Sequence, residues 1–185
     1  MTGGFVLVVG PSGAGKDTLL QIATRELASC PRIVFPRRLV TRSSSVWEEH
    51  DTIDDTEFER GVAEGRFALA WRAHGHGYAI PGHCSAAAAA GQIVVCNVSR
   101  MIVETARRDL ANVSLVEITA PRDVLAARLA GRGRGDDADL VARLERSRTI
   151  PPLTVDLTIV NDRDPYDGAR LLIDFLHRKA RGQNN

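Results

Sequence analysis

Gly10-Pro11-Ser12-Gly13-Ala14-Gly15-Lys16-Asp17 is the stretch that decides the fold. Its first seven places fill the pattern G-x-x-x-x-G-K of a phosphate-gripping loop, with the apolar run Phe5 to Val9 before it and a helical pattern, Thr18 to Leu27, behind it. Strand, glycine-rich turn and helix are the context such a loop needs. The glycines let backbone N–H groups turn toward an anion, and the helix adds unpaired N–H groups and the positive end of its dipole. Lys16 is then expected to reach the terminal phosphates of a nucleotide, with Gly10, Pro11, Ser12, Gly13, Ala14, Gly15, Asp17 and Thr18 completing the cradle. Lys16 and Lys179 are the only lysines among 24 basic residues, so an arginine-rich chain has placed a compact ammonium here.

Position 17 departs from the pattern. A serine or threonine there normally gives a hydroxyl to magnesium, whereas this chain has Asp17 followed by Thr18. Two readings stay open for Asp17: an oxygen ligand for magnesium, direct or through water, or an acid that favours the positive end of the helix.

Working outward, the chain has 185 residues, 44% of them hydrophobic and 25% charged, which suits one domain spanning 1–185. A formal net charge of +1 gives no general field for nucleic acid or for an anionic membrane, and neither is expected as a partner. Cys30, Cys84 and Cys96 show no metal-site or redox spacing, so a reduced cytoplasm is the simplest home. The run Phe5 to Val9 has no basic leader and is too short for a signal peptide or a membrane span. It reads as a buried strand.

Further strand-like runs lie at Ile93 to Cys96, Leu115 to Ile118 and Leu157 to Val160, mostly separated by helical stretches. That alternation predicts an α/β fold, a parallel sheet with helices on both faces. Asp164-Pro165 supplies a cap and a first-turn proline to a last helix carrying Ala169, Leu172, Ile173 and Leu176 at helical spacing. Ala86 to Ala90 reads as a short helix. The segment from Val46 to Ala73 is acidic up to Glu59 and lacks long apolar runs, and is expected to form a lobe over the sheet.

No Asn-Lys-x-Asp segment for guanine recognition by a signalling GTPase is evident, which leaves a small-molecule kinase as the better branch. Phosphoryl transfer needs cations around the moving phosphate and a pocket for the acceptor. Arg128, Arg132, Arg134, Arg143 and Arg146 form a candidate lid over about 128–146, with Lys16, Arg132 and Arg143 as candidate catalytic cations. The same arginines also suit a solvated basic face.

The chain resembles the guanylate-kinase-like proteins from end to end. The residues that carry this are the loop Gly10 to Lys16, Val40-Thr41-Arg42, Thr56-Glu57-Phe58, Gly65 with Phe67, His74-Gly75, Tyr78, Arg132-Gly133-Arg134 and Ile159-Val160-Asn161-Asp162. Within that family Gly15-Lys16-Asp17, Glu49-His50-Asp51, Ala73-His74-Gly75 and Val95-Cys96-Asn97-Val98-Ser99-Arg100 look most like the branch that phosphorylates ribose 1,5-bisphosphate in phosphonate breakdown. The resemblance implies a nucleoside-monophosphate-kinase-like fold, an acceptor lobe at about 37–82, ATP and magnesium, and a phosphorylated sugar as partner. Its products are 5-phospho-α-D-ribose 1-diphosphate and ADP.

Departures from guanylate kinase point the same way. Where that enzyme has a phosphate-binding tyrosine this chain has His50; a guanine-reading glutamate falls on Leu69, an arginine on Ser45 and a strand carboxylate on Asn97. Leu69 accepts no hydrogen bond from guanine. Arg42, His50, Tyr78, Asn97 and Arg100 are the acceptor candidates, the arginines through paired bonds to phosphate. His50 could equally be a surface residue, Tyr78 a packed aromatic, and His74 and His76 structural neighbours of the pocket. Guanylate kinase itself and a non-catalytic scaffold of the same family are the rival readings.

Overall fold

A computed structural model of the chain describes residues 3–43, 50–73, 75–130 and 153–182. The strand predicted at Phe5 to Val9 is β1 (Gly4–Val9), buried at every position. Its alternating side chains supply both faces of the sheet, because successive strand residues point to opposite sides. Val6 and Val8 enter one core with Leu19, Ala23, Leu172 and Leu176, while Phe5, Leu7 and Val9 enter a second with Val94, Cys96, Leu69 and Tyr78.

Helix α1 (Lys16–Glu26) follows the loop, then the short strands β2 (Ile33–Val34), β3 (Leu39–Val40) and β4 (Asp51–Thr52). The remaining elements are α2 (Asp55–Ala63), β5 (Phe67–Ala73), β6 (His76–Pro81), α3 (His83–Ala89), β7 (Ile93–Asn97), α4 (Val103–Asp109), β8 (Val113–Thr119), α5 (Arg122–Ala130), β9 (Leu157–Val160) and α6 (Pro165–Ala180). Five strands form the main sheet in the order β2-β7-β1-β8-β9, all parallel, as the alternation predicted. Asp164 caps α6 by accepting from the Tyr166 N–H at 2.9 Å, with Pro165 in the first turn.

A second sheet, in the order β4-β3-β6-β5, lies within residues 39–81. The hairpin of β5 and β6 did not stand out in the sequence, because Ala68, Ala70 and Ala73 dilute its apolar signal. Pairing supplies what propensity does not: Trp71 lies opposite Tyr78, their rings stacked at 5.4 Å, and both are buried. The lid arginines Arg132, Arg134, Arg143 and Arg146, together with Ser45 and His74, lie outside the described residues.

Candidate functional site

The loop between β1 and α1 is built from backbone. Gly10 has φ +146°, and a Cβ there would stand 1.9 Å from the Ile118 carbonyl oxygen on β8. Gly15 has φ +84°, and a Cβ would meet the Asn161 Nδ2 at 2.4 Å. Glycine is therefore required at both ends of the loop, by conformation and by space. Gly15 caps α1 without a side-chain hydrogen bond, so the amides of the first turn face the loop's interior.

Lys16 opens α1 and folds back over this cradle. Its Nζ donates to the carbonyls of Gly10 at 2.8 Å and Pro11 at 2.9 Å. Behind the loop, buried Asn161 donates through Nδ2 to the Ala14 carbonyl at 2.8 Å, and Arg128 Nη1 donates to the Asn161 carbonyl at 2.9 Å. Of the predicted lid arginines, Arg128 is thereby placed beside the loop. Asn161 belongs to the phrase Ile159 to Asp162, whose part in bracing the loop had no signal in spacing.

On the other side the loop touches the end of β7. Val8 pairs with Asn97, and the Val98 N–H donates to the Val8 carbonyl at 3.0 Å. Asn97 Nδ2 donates to Asp17 Oδ1 at 2.8 Å, and the Asn97 carbonyl accepts from Arg38 Nη1 at 3.2 Å. The Arg38 guanidinium also sits 5.9 Å from the centre of the Tyr78 ring. A single path of contacts thus runs from the small sheet, through Arg38 and Asn97, to Asp17 in the first turn of α1.

Arg38 has no motif to mark it in the sequence; its hydrogen bond to the Asn97 carbonyl places it at the site. Arg42, at the other end of β3, is half-buried, and its carbonyl lies 3.0 Å from Nε2 of His50. His50 is 2% exposed. That burial overturns the surface-residue reading of His50, whose ring lies against the Arg42 carbonyl while Arg37 Nη2 donates to the His50 carbonyl at 3.3 Å. Tyr78 is 8% exposed and stacked on Trp71, so the packed-aromatic reading describes most of its surface.

Arg100 follows β7 in a 3-10 turn (Arg100–Ile102) and faces Glu117 at 3.5 Å, both side chains mostly buried. Glu117 pairs with Val9 across β1 and β8, so this ion pair stands beside the entrance to the loop. Leu69 is 4% exposed, within the second core. His76 opens β6 and is half-buried. Among the described residues no group of three His, Cys, Asp or Glu side chains is arranged to hold a metal, and no helix is long and apolar enough to cross a membrane.

A strand, an anion cradle with a lysine folded over it, and an arginine-lined second lobe define a P-loop kinase. Residues 6–149 match the model of the AAA domain family. The guanylate kinase of Anaplasma phagocytophilum superposes with a TM-score of 0.67, over 97% of this chain and 88% of that one, at 18% identity, which establishes the shared fold. The ribose 1,5-bisphosphate phosphokinase PhnN of Methylobacterium radiotolerans is 54% identical over 176 residues, 95% of this chain and 98% of the relative. The protein of the same name from Bradyrhizobium diazoefficiens is 50% identical over 178 residues, covering 96% and 90%. The chain belongs to the ribose 1,5-bisphosphate phosphokinase family.

Proposed function

We propose that this protein transfers the γ-phosphate of ATP to the 1-phosphate of ribose 1,5-bisphosphate, giving 5-phospho-α-D-ribose 1-diphosphate and ADP. The observation that supports the reading is the contact path from the arginine-flanked small sheet, read as the acceptor lobe, to the first turn of α1 behind the loop. The identity of the sugar comes from the relatives' activity. Residues 37–82 act as the acceptor lobe and 128–146 as the lid of one kinase domain.

The acceptor phosphate is ionised at neutral pH, so the transfer needs no strong general base. An oxygen of the 1-phosphate attacks the γ-phosphorus, the bond to the β–γ bridging oxygen breaks, and ADP leaves with that electron pair. Catalysis is then alignment plus charge stabilisation. Lys16 exchanges its contacts with Gly10 and Pro11 for the β- and γ-phosphates, and the first-turn amides of α1 hold the β-phosphate oxygens. Arg42 and Arg100 bind the acceptor's phosphates, with Tyr78 and Asn97 along the sugar; Arg132 and Arg143, outside the described residues, are the further cations of the reading.

Magnesium fits this donor set. The ion takes one or two carboxylates and completes its shell with substrate phosphates and water, and Asp17 supplies a carboxylate beside the loop. When bound, it neutralises charge developing on the phosphate oxygens. Asp17 and Thr18 are the residues that would hold it.

Purified protein incubated with ATP and magnesium, then with ribose 1,5-bisphosphate or GMP, tests the assignment. We expect ADP and a labile sugar diphosphate from the bisphosphate and negligible turnover of GMP. Rapid turnover of GMP alone sinks the reading in favour of guanylate kinase. Absence of ATP binding in both wild type and Lys16→Ala points instead to a scaffold.

A further inference from the structure

In P-loop enzymes the magnesium ligands are commonly divided between a hydroxyl directly after the loop lysine and a carboxylate on a strand. This chain has a carboxylate at the first place, Asp17, and a carboxamide, Asn97, at the end of β7, a strand directly hydrogen-bonded to β1. Two separate departures, 80 residues apart in the chain, meet in one hydrogen bond: Asn97 Nδ2 donates to Asp17 Oδ1 at 2.8 Å.

The chemistry of the two replacements is matched. A carboxylate accepts only, and a carboxamide offers two N–H donors, so Asn97 complements Asp17. An aspartate at 97 would set two like charges at hydrogen-bond distance, which disfavours ionisation of both. In the common arrangement one carboxylate faces a neutral donor, and the same is true here with the two places exchanged. Asn97 is also held firmly from behind, its carbonyl by Arg38 and its C-terminal neighbour by the Val8 carbonyl.

We propose that Asp17 and Asn97 form a transposed pair, in which Asn97 is a positioning residue that fixes the Asp17 carboxylate as the metal-facing group of the loop. The inference rests on the ATP and magnesium reading above. It assigns the metal's protein carboxylate to the nucleotide loop instead of the neighbouring strand. It also gives Asn97 a task toward the nucleotide, although Asn97 lies on the acceptor side.

The test is calorimetric binding of a non-hydrolysable ATP analogue, with and without magnesium, to wild type, Asn97→Ala, Asn97→Asp, Asp17→Asn and the exchange variant Asp17→Asn/Asn97→Asp. Metal-free binding reports whether each variant retains a folded loop. In wild type, magnesium should tighten the analogue by about tenfold or more, and Asn97→Ala should lose most of that gain while metal-free binding is kept. Asn97→Asp should weaken metal-free binding by about tenfold through the added charge near the phosphates. The exchange variant, again with one carboxylate and one carboxamide, should recover magnesium tightening to within about threefold of wild type. An exchange variant no better than the poorer single variant, or an Asn97→Ala protein with the full gain, overturns the pairing alone. A wild type that gains nothing from magnesium overturns both the pairing and the metal reading beneath it.

Discussion

The two ends of the site are built by different means. The nucleotide end is a contiguous octapeptide whose geometry is backbone: three loop glycines at positive φ, and a helix whose first amides are left open by a glycine cap. The proposed acceptor end is assembled from side chains on separate elements. Arg38 and Arg42 flank β3, His50 precedes β4, Tyr78 lies on β6, Asn97 ends β7 and Arg100 follows it. Local geometry shapes the first, with Asn161 bracing it from behind, and the second rests on tertiary hydrogen bonds. Substitutions at the nucleotide end should therefore strike the chemical step, and those at the acceptor end should strike acceptor affinity or stability.

The largest effect expected is at Lys16. Lys16→Ala removes the cation proposed to meet the transferred phosphate, and loss of one such donor costs about 10²–10³ in kcat. Steady-state kinetics at saturating ATP check this; a variant within about threefold of wild type in kcat breaks the assignment of the loop as the catalytic end. On the acceptor side, Arg42→Lys should raise KM for the sugar bisphosphate about tenfold and leave KM for ATP unchanged, since an ammonium cannot reproduce a bidentate fork. Equal rises in both constants would show that the two ends are not separable in this way.

That contrast also explains what could be read in the sequence. The parallel sheet was legible because each buried strand, such as Ile93 to Cys96, is a continuous apolar run. The loop was legible because its glycines and lysine are fixed in spacing by a bound phosphate. Residues of the acceptor side were legible only through resemblance, and the resemblance transfers residue types without their contacts. It marked His50, but not that the imidazole turns inward to the Arg42 carbonyl. It gave no mark to Arg38 or Glu117, which reach the site through a hydrogen bond to Asn97 and an ion pair with Arg100. Leu69 was read as a lost base contact, and no spacing marked its place in the second core.

The third prediction sharpens the role of His50. If its ring is a prop, His50→Ala should lower unfolding stability by about 2 kcal/mol, because the Arg42 carbonyl loses a buried partner and a cavity opens. Thermal or urea unfolding measures this. Added sugar bisphosphate should restore stability by mass action. A variant as stable as wild type, yet weak for the acceptor, would return His50 to direct contact.

The smallest effect separates the two faces of the main sheet. Cys84 and Cys96 are both buried in the second core, under the acceptor lobe. Burial pushes the Cys84 thiol up from 9.0 to about 11, and pushes Cys96 up further, with the neighbouring Cys84 adding to the effect. In the unfolded chain both thiols ionise as pH passes about 9, while in the folded protein they keep their protons, so the native state binds more protons and stability falls as pH rises. The contribution is complete below that point and is lost toward pH 11. Between pH 8 and 9.5 the loss should be about 1.5 kcal/mol for the two thiols together, read as a downward slope of unfolding free energy against pH. Cys84→Ala/Cys96→Ala should flatten that slope whatever its own cost in stability, because the slope reports protons and not packing. An unchanged slope in the double variant would mean that water reaches these thiols, and that the acceptor face is looser than the face carrying α1 and α6.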